Sequence, residues 1–503
     1  MDAISMADTA ALVIRFLDVA IMATGRATYH EDKSELHVAE EVVHRVVFEY
    51  DRGVYLAVLA LAGTMDRARM VGVERALSNP FTESRYLDLK LETKLLHALS
   101  NSISKTRQVK LLAALAADHV NNKRTRNLTD KVVDSWSDVD YMAVKFKSKL
   151  RSIFIHRYGQ RRSSIIRDIL AKPVDERTDR EKSILTGMLA DYGTTPLAAT
   201  EYEEMLAFVL NDKVERPLEC DMPLTAKYIA AVGGDRQAVQ GLPQEVAQGI
   251  LTSYYPGEDA RKVSLQEGQM SQRTKMRQQR SASKVGVKLE FDPTKQSMVE
   301  LYVYAHERKI TKGIQRALES KAKTIAGRMN AVYEKVAIVL DTSISMRGKS
   351  DNAWRPIAVS EAIRDVLCAG ATDASLFSNH EPIDPYTLTK VGGPTALAHL
   401  VLEALKVRPD VLYILTDGYE NAPAGRVEEV VGAVRDLEIA IPIYQLTAVM
   451  GAKRFGARDL APKYITTVPV LGPLTLPASM LRMMIVQDTQ NALDLIVNMA
   501  LEG

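Results

Sequence analysis

The sequence predicts a two-part chain, with an all-α helical-repeat domain over residues 1–332 and a doubly wound parallel α/β domain over residues 333–503. Two observations lead to this fold class. Apolar residues recur at spacings of three and four through most of the first part, which is the period of amphipathic helices. From Val336 onwards, short apolar runs alternate with helical patterns, which is typical of a parallel sheet with crossover helices.

The helices of the first part are predicted from their apolar spacing and from the breaks between them. Segments such as AEEVVHRVVFEY, VYLAVLALAGTM and QVKLLAALAADHV are separated by short breaks such as SNP, AKP and TTP. Helices joined by short connections fit a helix-repeat array. No strict sequence period is present, so the array is an expectation about the fold and not a repeat motif.

One stretch of the first part, from about Glu258 to Thr294, departs from the helical pattern. It contains QEGQMSQRTKMRQQRSASKVGVK, which is polar, basic and poor in apolar periodicity. Two interpretations stay open, namely a mobile loop and a segment that becomes ordered on a partner. The helical pattern resumes from Ser297 to Met329.

The second part is predicted element by element. VAIVLDTS, ATDASLFS, DVLYILTDG and IPIYQLTAV are short apolar runs, and each is predicted to be a strand. IAVSEAIRDVLCAG, TALAHLVLEALK and VEEVVGAVRDL lie between them with helical spacing, and NALDLIVNMAL is a candidate closing helix. The βαβα alternation predicts a doubly wound parallel sheet.

Five oxygen-bearing side chains are predicted where a parallel sheet gathers ligands, at the carboxyl ends of its strands. Asp341, Ser343 and Ser345 follow the first strand, where alternate residues of a loop can point the same way. Thr395 begins a helix after VGGP, and Asp417 ends a later apolar strand. These donors suit one divalent cation, Mg²⁺ above all with Mn²⁺ or Ca²⁺ as alternatives, rather than Zn²⁺.

The order, spacing and strand context of these five residues resemble the metal-ion-dependent adhesion site (MIDAS) of von Willebrand factor A domains. The resemblance implies metal-dependent ligand binding and no catalysis. Two carboxylates and three hydroxyls leave an octahedron incomplete, so we expect water, or a carboxylate or phosphate from a partner, to complete it. Ile344 stands where the family commonly has glycine, which widens a tight loop but removes no ligand.

Cysteine content and the N-terminus predict a cytoplasmic protein. The two cysteines, Cys220 and Cys368, cannot build a disulfide framework or a Cys-based zinc site, which favours a reducing compartment. The N-terminal apolar run starts with acidic residues and is broken by Arg15 and Asp18, unlike a signal peptide or a membrane span. We therefore expect no membrane association.

The net charge of +2 is unevenly distributed along the chain. Between Lys105 and Arg167 there are 15 Lys and Arg residues against five Asp, and between Arg261 and Arg328 there are 16 against six acidic residues. This separation predicts a basic surface on an otherwise acidic protein. The alternative is a set of ordinary solvated helix faces.

A helical N-terminal part followed by a von Willebrand A-like domain occurs in few families, and the chain resembles the Ro RNA-binding proteins, whose N-terminal part is the TROVE domain. The stronger local likeness lies near the start and consists of Arg15-Phe16-Leu17, Gly25, Thr28-Tyr29 and Asp51-Arg52-Gly53. A weaker likeness is the basic segment KLRSIFIHRYGQ. The chain departs from the family in two ways: TYH stands where the family has TYY, and the family's later Leu/Ser/His-rich helical phrase is missing.

The resemblance implies a HEAT-like ring of helical repeats whose ends are joined by the von Willebrand A domain. It implies a ribonucleoprotein that binds small noncoding Y-like RNA on the outer ring surface and the single-stranded 3′ ends of misfolded RNA in the central hole. In some bacterial relatives, RNA passes to an exoribonuclease, which is therefore an expected partner. No DNA is expected.

RNA affinity comes mainly from neutralisation of phosphates by Lys and Arg. His156 and Tyr158 are candidates for base stacking, with packing at a helix end as the alternative for Tyr158. The arginines and lysine from position 273 to 280 lie in the polar stretch, which folds over RNA in one interpretation and is a solvated linker in the other. The expected RNA-binding residues are Lys105, Arg107, Lys110, Lys123, Arg124, Arg126, Lys147, Arg151, Arg157, Arg161, Arg162, Arg273, Lys275, Arg277 and Arg280, with Lys145, Lys149 and Arg167 on the same basic stretch.

A second class of function stays open, that of an adaptor for a MoxR-type AAA+ ATPase. Such adaptors also carry a helical N-terminus and a C-terminal von Willebrand A domain, and the metal would then bind an acidic residue of the ATPase or its client. A metal-dependent hydrolase ranks third, because a two-metal site needs more carboxylates and no Gly-rich phosphate loop of the full pattern GxxxxGK[ST] is present. We therefore expect a binding protein, a scaffold or an RNA quality-control factor, and not an enzyme.

Overall fold

The computed structural model describes most of the chain. Of the residues discussed above, Gly25, Thr28, Tyr29 and Cys220 lie outside the described part, as does the side chain of Arg280. The described ranges are 6–22, 33–61, 63–189, 199–211, 222–327, 333–348, 353–380, 383–448, 459–476, 481–482, 484–485 and 488–502.

The chain is helical before residue 328, as its apolar spacing predicts. Many of these helices begin at a side-chain cap; Asp51, Asn122 and Asp138, for example, each accept a hydrogen bond from a backbone N–H of the first turn. The helices are α1 Met6–Met22, α2 Lys33–Tyr50, α3 Arg52–Ala60, α4 Asp66–Ser78, α5 Leu89–Ser102, α6 Lys105–Ala117, α7 Lys123–Asp134, α8 Val139–Tyr158, α9 Gln160–Leu170, α10 Asp179–Leu189, α11 Ala199–Leu210, α12 Pro223–Val232, α13 Gln244–Tyr254, α14 Ala260–Glu267, α15 Gln272–Ser283, α16 Met298–Glu307 and α17 Lys312–Ala326.

The predicted alternation of strands and helices follows from residue 333. All four predicted strands and all four predicted helices are present, and a fifth strand, β5, was not predicted. The elements are β1 Tyr333–Leu340, α18 Arg355–Gly370, β2 Ala371–Ser378, α19 Ala398–Lys406, β3 Val411–Thr416, α20 Arg426–Asp436, β4 Ile443–Ala448, β5 Thr466–Val470 and α21 Thr489–Glu502.

The five strands form one parallel sheet in the order β2-β1-β3-β4-β5. Apolar residues of α19 and α20 form a core with alternate residues of β1 and β3 and with Ile443 of β4. Helix α18 contacts β1 to β4 and contributes no residue to that core. Helices therefore cover both faces, which explains why β1 and β3 read as continuous apolar runs. The strand order reverses between β1 and β3.

The interpretation of residues 258–294 as a loop or linker was wrong, because two helices, α14 and α15, occupy this stretch. Asp259 and Ser271 cap their first turns through side-chain oxygens, and the Lys, Arg, Gln and Met residues that follow favour helix. A small core of Leu265, Ala282 and Val287 anchors them. Local capping and a few apolar contacts outweighed the polar composition.

By its contacts, the chain forms two compact units. The sheet unit comprises Met1–Gly72, Thr82–Leu95 and Pro293–Gly503, and the helical unit comprises Val73–Phe81 and Leu96–Asp292. In the sheet unit, α1 and α3 pack on α21, and α1 also contacts β5. The predicted boundary at residue 332 thus marks the start of the sheet, and helices from before it belong to both units. No described helix has the length and apolar content needed to span a bilayer.

The DRG sequence at residues 51–53, part of the local likeness near the start, has a structural role within the sheet unit. Asp51 caps α3 by accepting from the Val54 N–H at 2.9 Å, and the Arg52 guanidinium pairs with the buried Glu92 at 2.6 Å. A Cβ at Gly53 would meet the Tyr86 Cβ at 2.8 Å, so only glycine fits there without a shift. These contacts join α3 to the residues before and within α5.

Candidate metal site and basic surface

Asp341 and Asp417 lie side by side at the carboxyl edge of the sheet. Asp341 directly follows β1 and Asp417 directly follows β3, and the register pairs Leu340 with Leu415 on these neighbouring strands. Both aspartates are buried, with exposures of 0% and 6%. They occupy the switch point of the strand order, where open α/β sheets form their ligand crevice.

Hydroxyl groups surround the Asp341 carboxylate. It accepts hydrogen bonds from the Ser343 N–H at 2.9 Å and from the Thr416 hydroxyl at 2.7 Å. The Ser343 and Ser345 hydroxyl oxygens are 2.9 Å apart. Three of the five predicted ligands, Asp341, Ser343 and Ser345, therefore lie together in one turn, as their alternate spacing predicts.

The electrostatics of Asp341 indicate that a positive charge would be favoured at this position. Burial raises the pKa of the Asp341 carboxyl to about 6; the bonds from Ser343 and Thr416 oppose that rise, and the negative charge of Asp417 adds to it. The ionised form is thus disfavoured by a low-dielectric surrounding and by a second carboxylate. A divalent cation between the two carboxylates would reverse this balance.

The loop that carries Thr395 is bound to the loop after β1. The Gly392 N–H donates to the Thr342 carbonyl at 2.8 Å, and the Ile344 N–H donates to the Gly393 carbonyl at 3.1 Å. Gly393 has a φ of +73°, a conformation that favours glycine, so the GG pair allows this close backbone pairing.

Thr395 is in turn bound to the loop after β3. Its N–H donates to Asn421 Oδ1 at 2.9 Å, and its carbonyl accepts from the N–H of Asn421 at 3.3 Å and of Ala422 at 3.1 Å. Thr395 is buried, at 1% exposure. All three ligand-bearing loops are therefore joined by hydrogen bonds.

The donor set fits a hard divalent cation. It consists of two carboxylates and three hydroxyls, and among the described residues no cluster of three or more His, Cys, Asp or Glu side chains forms a site of another kind. Oxygen donors with two carboxylates suit Mg²⁺, Mn²⁺ or Ca²⁺. Asp341, Ser343, Ser345, Thr395 and Asp417 are the residues that would hold it, and the cation would supply an electrophilic position for an anionic ligand.

Sequence reasoning missed three residues at this edge of the sheet. Thr416 orients Asp341, and Asn421 holds the Thr395 loop. Asn379 follows β2 as Asp341 follows β1, and both side-chain atoms of its amide are buried and find no hydrogen-bond partner within the described part of the chain. Thr416 ends β3 and Asn379 directly follows β2, and that position was the available signal for these two; Asn421, five residues beyond β3, offered none.

The predicted RNA-binding residues fall in the helical unit. Arg157 does not belong to an exposed basic surface. It forms a bidentate ion pair with Asp130 at 2.8 Å, and its side chain is only 10% exposed. Lys105, Arg107, Arg124, Arg126, Lys147, Arg151 and Lys275 are half-buried, whereas Lys110, Lys123, Arg161, Arg162, Arg273 and Arg277 are exposed.

Some of the half-buried cations bond to their own unit. Lys105 Nζ donates to the Ser137 hydroxyl at 2.7 Å, and Arg124 donates to the Asn79 carbonyl at 2.6 Å. Tyr158 is buried, and its hydroxyl lies 3.1 Å from that of Tyr202, so the packing interpretation of Tyr158 is correct. His156 Nε2 lies 3.1 Å from the Val120 carbonyl and so also has a structural contact.

Comparison with known proteins adds no relative to this description. No protein-family model matches the chain, and no curated protein matches its sequence. The chemistry of the two sites therefore rests on their own residues, with oxygen donors at the sheet edge and exposed cations on the helical unit.

Proposed function

We propose that this chain is a noncoding-RNA-binding protein of the Ro type, with HEAT-like helices that bind RNA and a von Willebrand A-like domain that binds one divalent cation. Its ligands would be small Y-like RNAs and the single-stranded 3′ ends of misfolded RNAs. It would act as a cytoplasmic scaffold or quality-control factor without catalysis of its own, with an exoribonuclease as a candidate partner.

The observation that carries the RNA part is the exposed set of cations on the helical unit. Lys110, Lys123, Arg161, Arg162 and Arg273 are all exposed, and Arg161 and Arg162 stand together in the first turn of α9. Affinity for a phosphate backbone grows with the number of such cations, independently of sequence. A surface of this kind is what a backbone-reading RNA-binding protein needs.

A double charge reversal at Arg161 and Arg162 tests the RNA part. Glutamate in the first turn of a helix is favourable to the helix dipole, so Arg161→Glu/Arg162→Glu should fold at least as well as the wild type. We expect its affinity for single-stranded RNA to fall by about tenfold or more, and the slope of log K against log salt to decrease by roughly 0.7 per lost phosphate contact.

The matched control reverses two exposed lysines of the sheet unit, Lys390→Glu/Lys463→Glu, with the same change in net charge. This control should bind RNA as the wild type does. Equal affinity of the wild type and the Arg161/Arg162 variant would remove α9 from the RNA surface. A wild-type chain that purifies free of RNA and binds none in low salt would overturn the proposal.

The metal site supports the second part of the proposal. Two buried carboxylates and three hydroxyls on neighbouring strand ends leave coordination positions for an outside ligand. A carboxylate of a protein partner, or an RNA phosphate, has the charge to fill them. The site would thus bind a partner through the cation rather than transform a substrate.

A second candidate function, an adaptor of a MoxR-type AAA+ ATPase, is favoured by the surroundings of this site. Ile344, between two predicted ligands, is 58% exposed, and Tyr419, two residues beyond Asp417, is 40% exposed. Apolar side chains around a metal fit a protein surface better than a phosphate backbone. Binding of a purified ATPase in Mg²⁺ but not in EDTA, by a chain free of RNA, would favour the adaptor.

A further inference from the structure

The helical unit contains a cleft of about 810 Å³ between α8, α12, α13 and the end of α11. Among the described residues that line it are three basic side chains, Lys145, Lys147 and Arg151, and no acidic one. Ser148, Ser152, Asn211 and Ser253 add neutral hydrogen-bonding groups, and the other lining residues are apolar or aromatic. We call this the basic cleft.

The cations of the basic cleft are not equivalent. Lys145 at the rim pairs with Glu245 at 3.4 Å, so its charge is compensated within the protein. Lys147 Nζ instead lies over the ring of Phe208, 4.3 Å from its centroid, and 5.5 Å from that of Tyr228. In the described part of the chain, Lys147 forms no ion pair, and its charged neighbour one helical turn on is Arg151.

Two aromatic rings attract the Lys147 ammonium, but its burial and a neighbouring cation act against its charged form. Burial, and to a smaller extent the positive charge of Arg151, together lower the pKa of its ammonium to about 8. An anion beside Lys147 would offset both the burial of its ammonium and the positive charge of Arg151. The geometry and the charge both indicate an anionic ligand.

A second cleft of the same unit shows that this composition is specific. It measures about 710 Å³ and is lined by Asp138, Asp140, Glu201 and Glu267, with no basic side chain among its described lining residues. Two clefts of similar size on one unit thus carry opposite charge. Only the basic one also presents an exposed aromatic ring, that of Tyr254, which is 53% exposed.

We infer that the basic cleft binds one nucleotide of single-stranded RNA, with its phosphate between Lys147 and Arg151 and its base stacked on Tyr254. The inference rests on the proposed RNA-binding function and gives it a defined subsite. A phosphate relieves the repulsion between the two cations, and Tyr254 offers a π-face that any base can use. Recognition would therefore tolerate sequence and require an unpaired strand, because a base within a duplex cannot reach the ring.

Substitutions at Tyr254 separate stacking from folding. The ring is half-exposed, so Tyr254→Ala should leave the protein folded, and we expect it to weaken binding of a short oligouridine by about tenfold or more. Tyr254→Phe keeps the π-face and should bind within about twofold of the wild type. Glu201→Gln in the acidic cleft is the matched control and should leave the affinity unchanged.

Lys147 provides a second readout through pH. The charged group that acts on its pKa is Arg151 on its own helix, and the Tyr228 ring lies 5.5 Å away. Lys145, which pairs with Glu245, and Tyr254 line the same cleft. Oligouridine affinity should fall as the pH rises through about 8, because the ammonium then loses its proton. Lys147→Arg stays charged and should keep its affinity over that range, whereas Lys147→Met removes the charge and should bind about tenfold more weakly.

The outcomes separate this inference from the broader proposal. If the wild type binds oligouridine and Tyr254→Ala, Lys147→Met and the wild type bind it equally, the cleft assignment is wrong while RNA binding stands. If the wild type binds duplex RNA but not oligouridine, the cleft assignment is also wrong, and RNA binding again stands. If the wild type binds no RNA of either kind, the proposed function and the subsite both fail. The subsite is supported if Tyr254→Ala loses affinity for oligouridine while Tyr254→Phe and Glu201→Gln keep it.

Discussion

Among the described residues of the sheet unit, two sites of buried charge are built differently. Around α18, Arg364 and Asp365 are both fully buried and form an ion pair at 2.8 Å. At the carboxyl edge of the sheet, Asp341 is just as buried but lies beside a second carboxylate, Asp417. The first site contains its own counter-charge.

The Arg364 cluster satisfies its charges with several groups. Arg364 also donates to the Tyr302 hydroxyl at 2.9 Å and to the Thr387 carbonyl at 3.0 Å, while the Tyr302 hydroxyl donates to Asp365 at 2.5 Å. Next to it, Glu361 pairs with His306 at 2.8 Å. Helices α16 and α18 are joined through these bonds.

The Asp341 site has hydroxyls and backbone N–H groups in place of a cation. The groups that influence the pKa of Asp341 are Ser343, Thr416 and Asp417, and none of them is basic. Since burying like charges together is costly, a protein retains such a pair where an external cation binds. The comparison teaches that the Arg364 site balances its own charges, whereas the Asp341 site pairs two buried carboxylates, as the proposed cation site requires.

The largest effect is expected from Arg364→Met, which leaves Asp365 buried without its cation. Breaking a buried ion pair by removing one partner costs about 3–5 kcal/mol. Denaturant unfolding followed by circular dichroism should show this loss, and the exposed control Lys323→Met should not. A loss below about 1 kcal/mol would mean that the cluster is not the structural site that the comparison describes.

The next largest effect is expected in the pH dependence of the free energy of unfolding, to which Asp341 contributes. The folded-state pKa of Asp341 is raised from 3.8 to about 6, so the folded state holds the proton more tightly than the unfolded state does. Metal-free protein should therefore lose stability as the pH rises from about 4 to about 6, by on the order of 3 kcal/mol, relative to Asp341→Asn.

Added Mg²⁺ should abolish that loss, because the cation favours the ionised carboxylate. Thermal melts of the wild type and Asp341→Asn over this pH range, in EDTA and in Mg²⁺, make the measurement. Parallel curves for the two proteins in EDTA would contradict a strained carboxyl at position 341.

A smaller effect is expected from Tyr302→Phe, which removes one hydroxyl from the Arg364 cluster. The lost bonds to charged groups should cost about 1.5–3 kcal/mol in denaturant unfolding. Tyr304→Phe on the same helix, where the side chain is partly exposed, is the control and should cost less. Equal effects of the two variants would argue that Tyr302 contributes packing alone.

The smallest effect is expected from Ile344→Ala in the metal loop. Ile344 is 58% exposed, so its truncation should change the free energy of unfolding by less than about 0.5 kcal/mol. Divalent-cation affinity should stay unchanged as well, since Ile344 supplies no ligand atom. A large drop in either quantity would show that this side chain shapes the loop.

The sequence predicted the parts of the fold that apolar patterns encode. β1 to β4 and the helices between them follow directly from buried runs and helical spacing. Strand β5 was not predicted, because Pro469 interrupts its apolar pattern. The proline is tolerated there because β5 lies at the sheet edge, where a missing N–H costs little. Helices α14 and α15 were not predicted, because their stability comes from caps and a three-residue core rather than from an apolar stripe.

The position of the proposed ligands in the fold was predictable from the sequence, but the residues that hold them there were not. Asp341 and Asp417 could be placed from the strands that precede them, because parallel strands end at the same edge. Thr416 and Asn421 depend on which loops touch, and tertiary contacts decide that. The Arg364 cluster could not be predicted either. Charged residues within a helical pattern such as IAVSEAIRDVLCAG normally face solvent, whereas here they are buried.

Binding of Mn²⁺ followed by electron paramagnetic resonance tests the central claim most directly. The wild type should bind one Mn²⁺, and Asp341→Asn and Asp417→Asn should each lower its affinity by about tenfold or more, since each removes a charged ligand. Asp373→Asn, at an exposed position of β2, should bind as the wild type does. Equal Mn²⁺ affinity in all four proteins would contradict a cation held between the ends of β1 and β3.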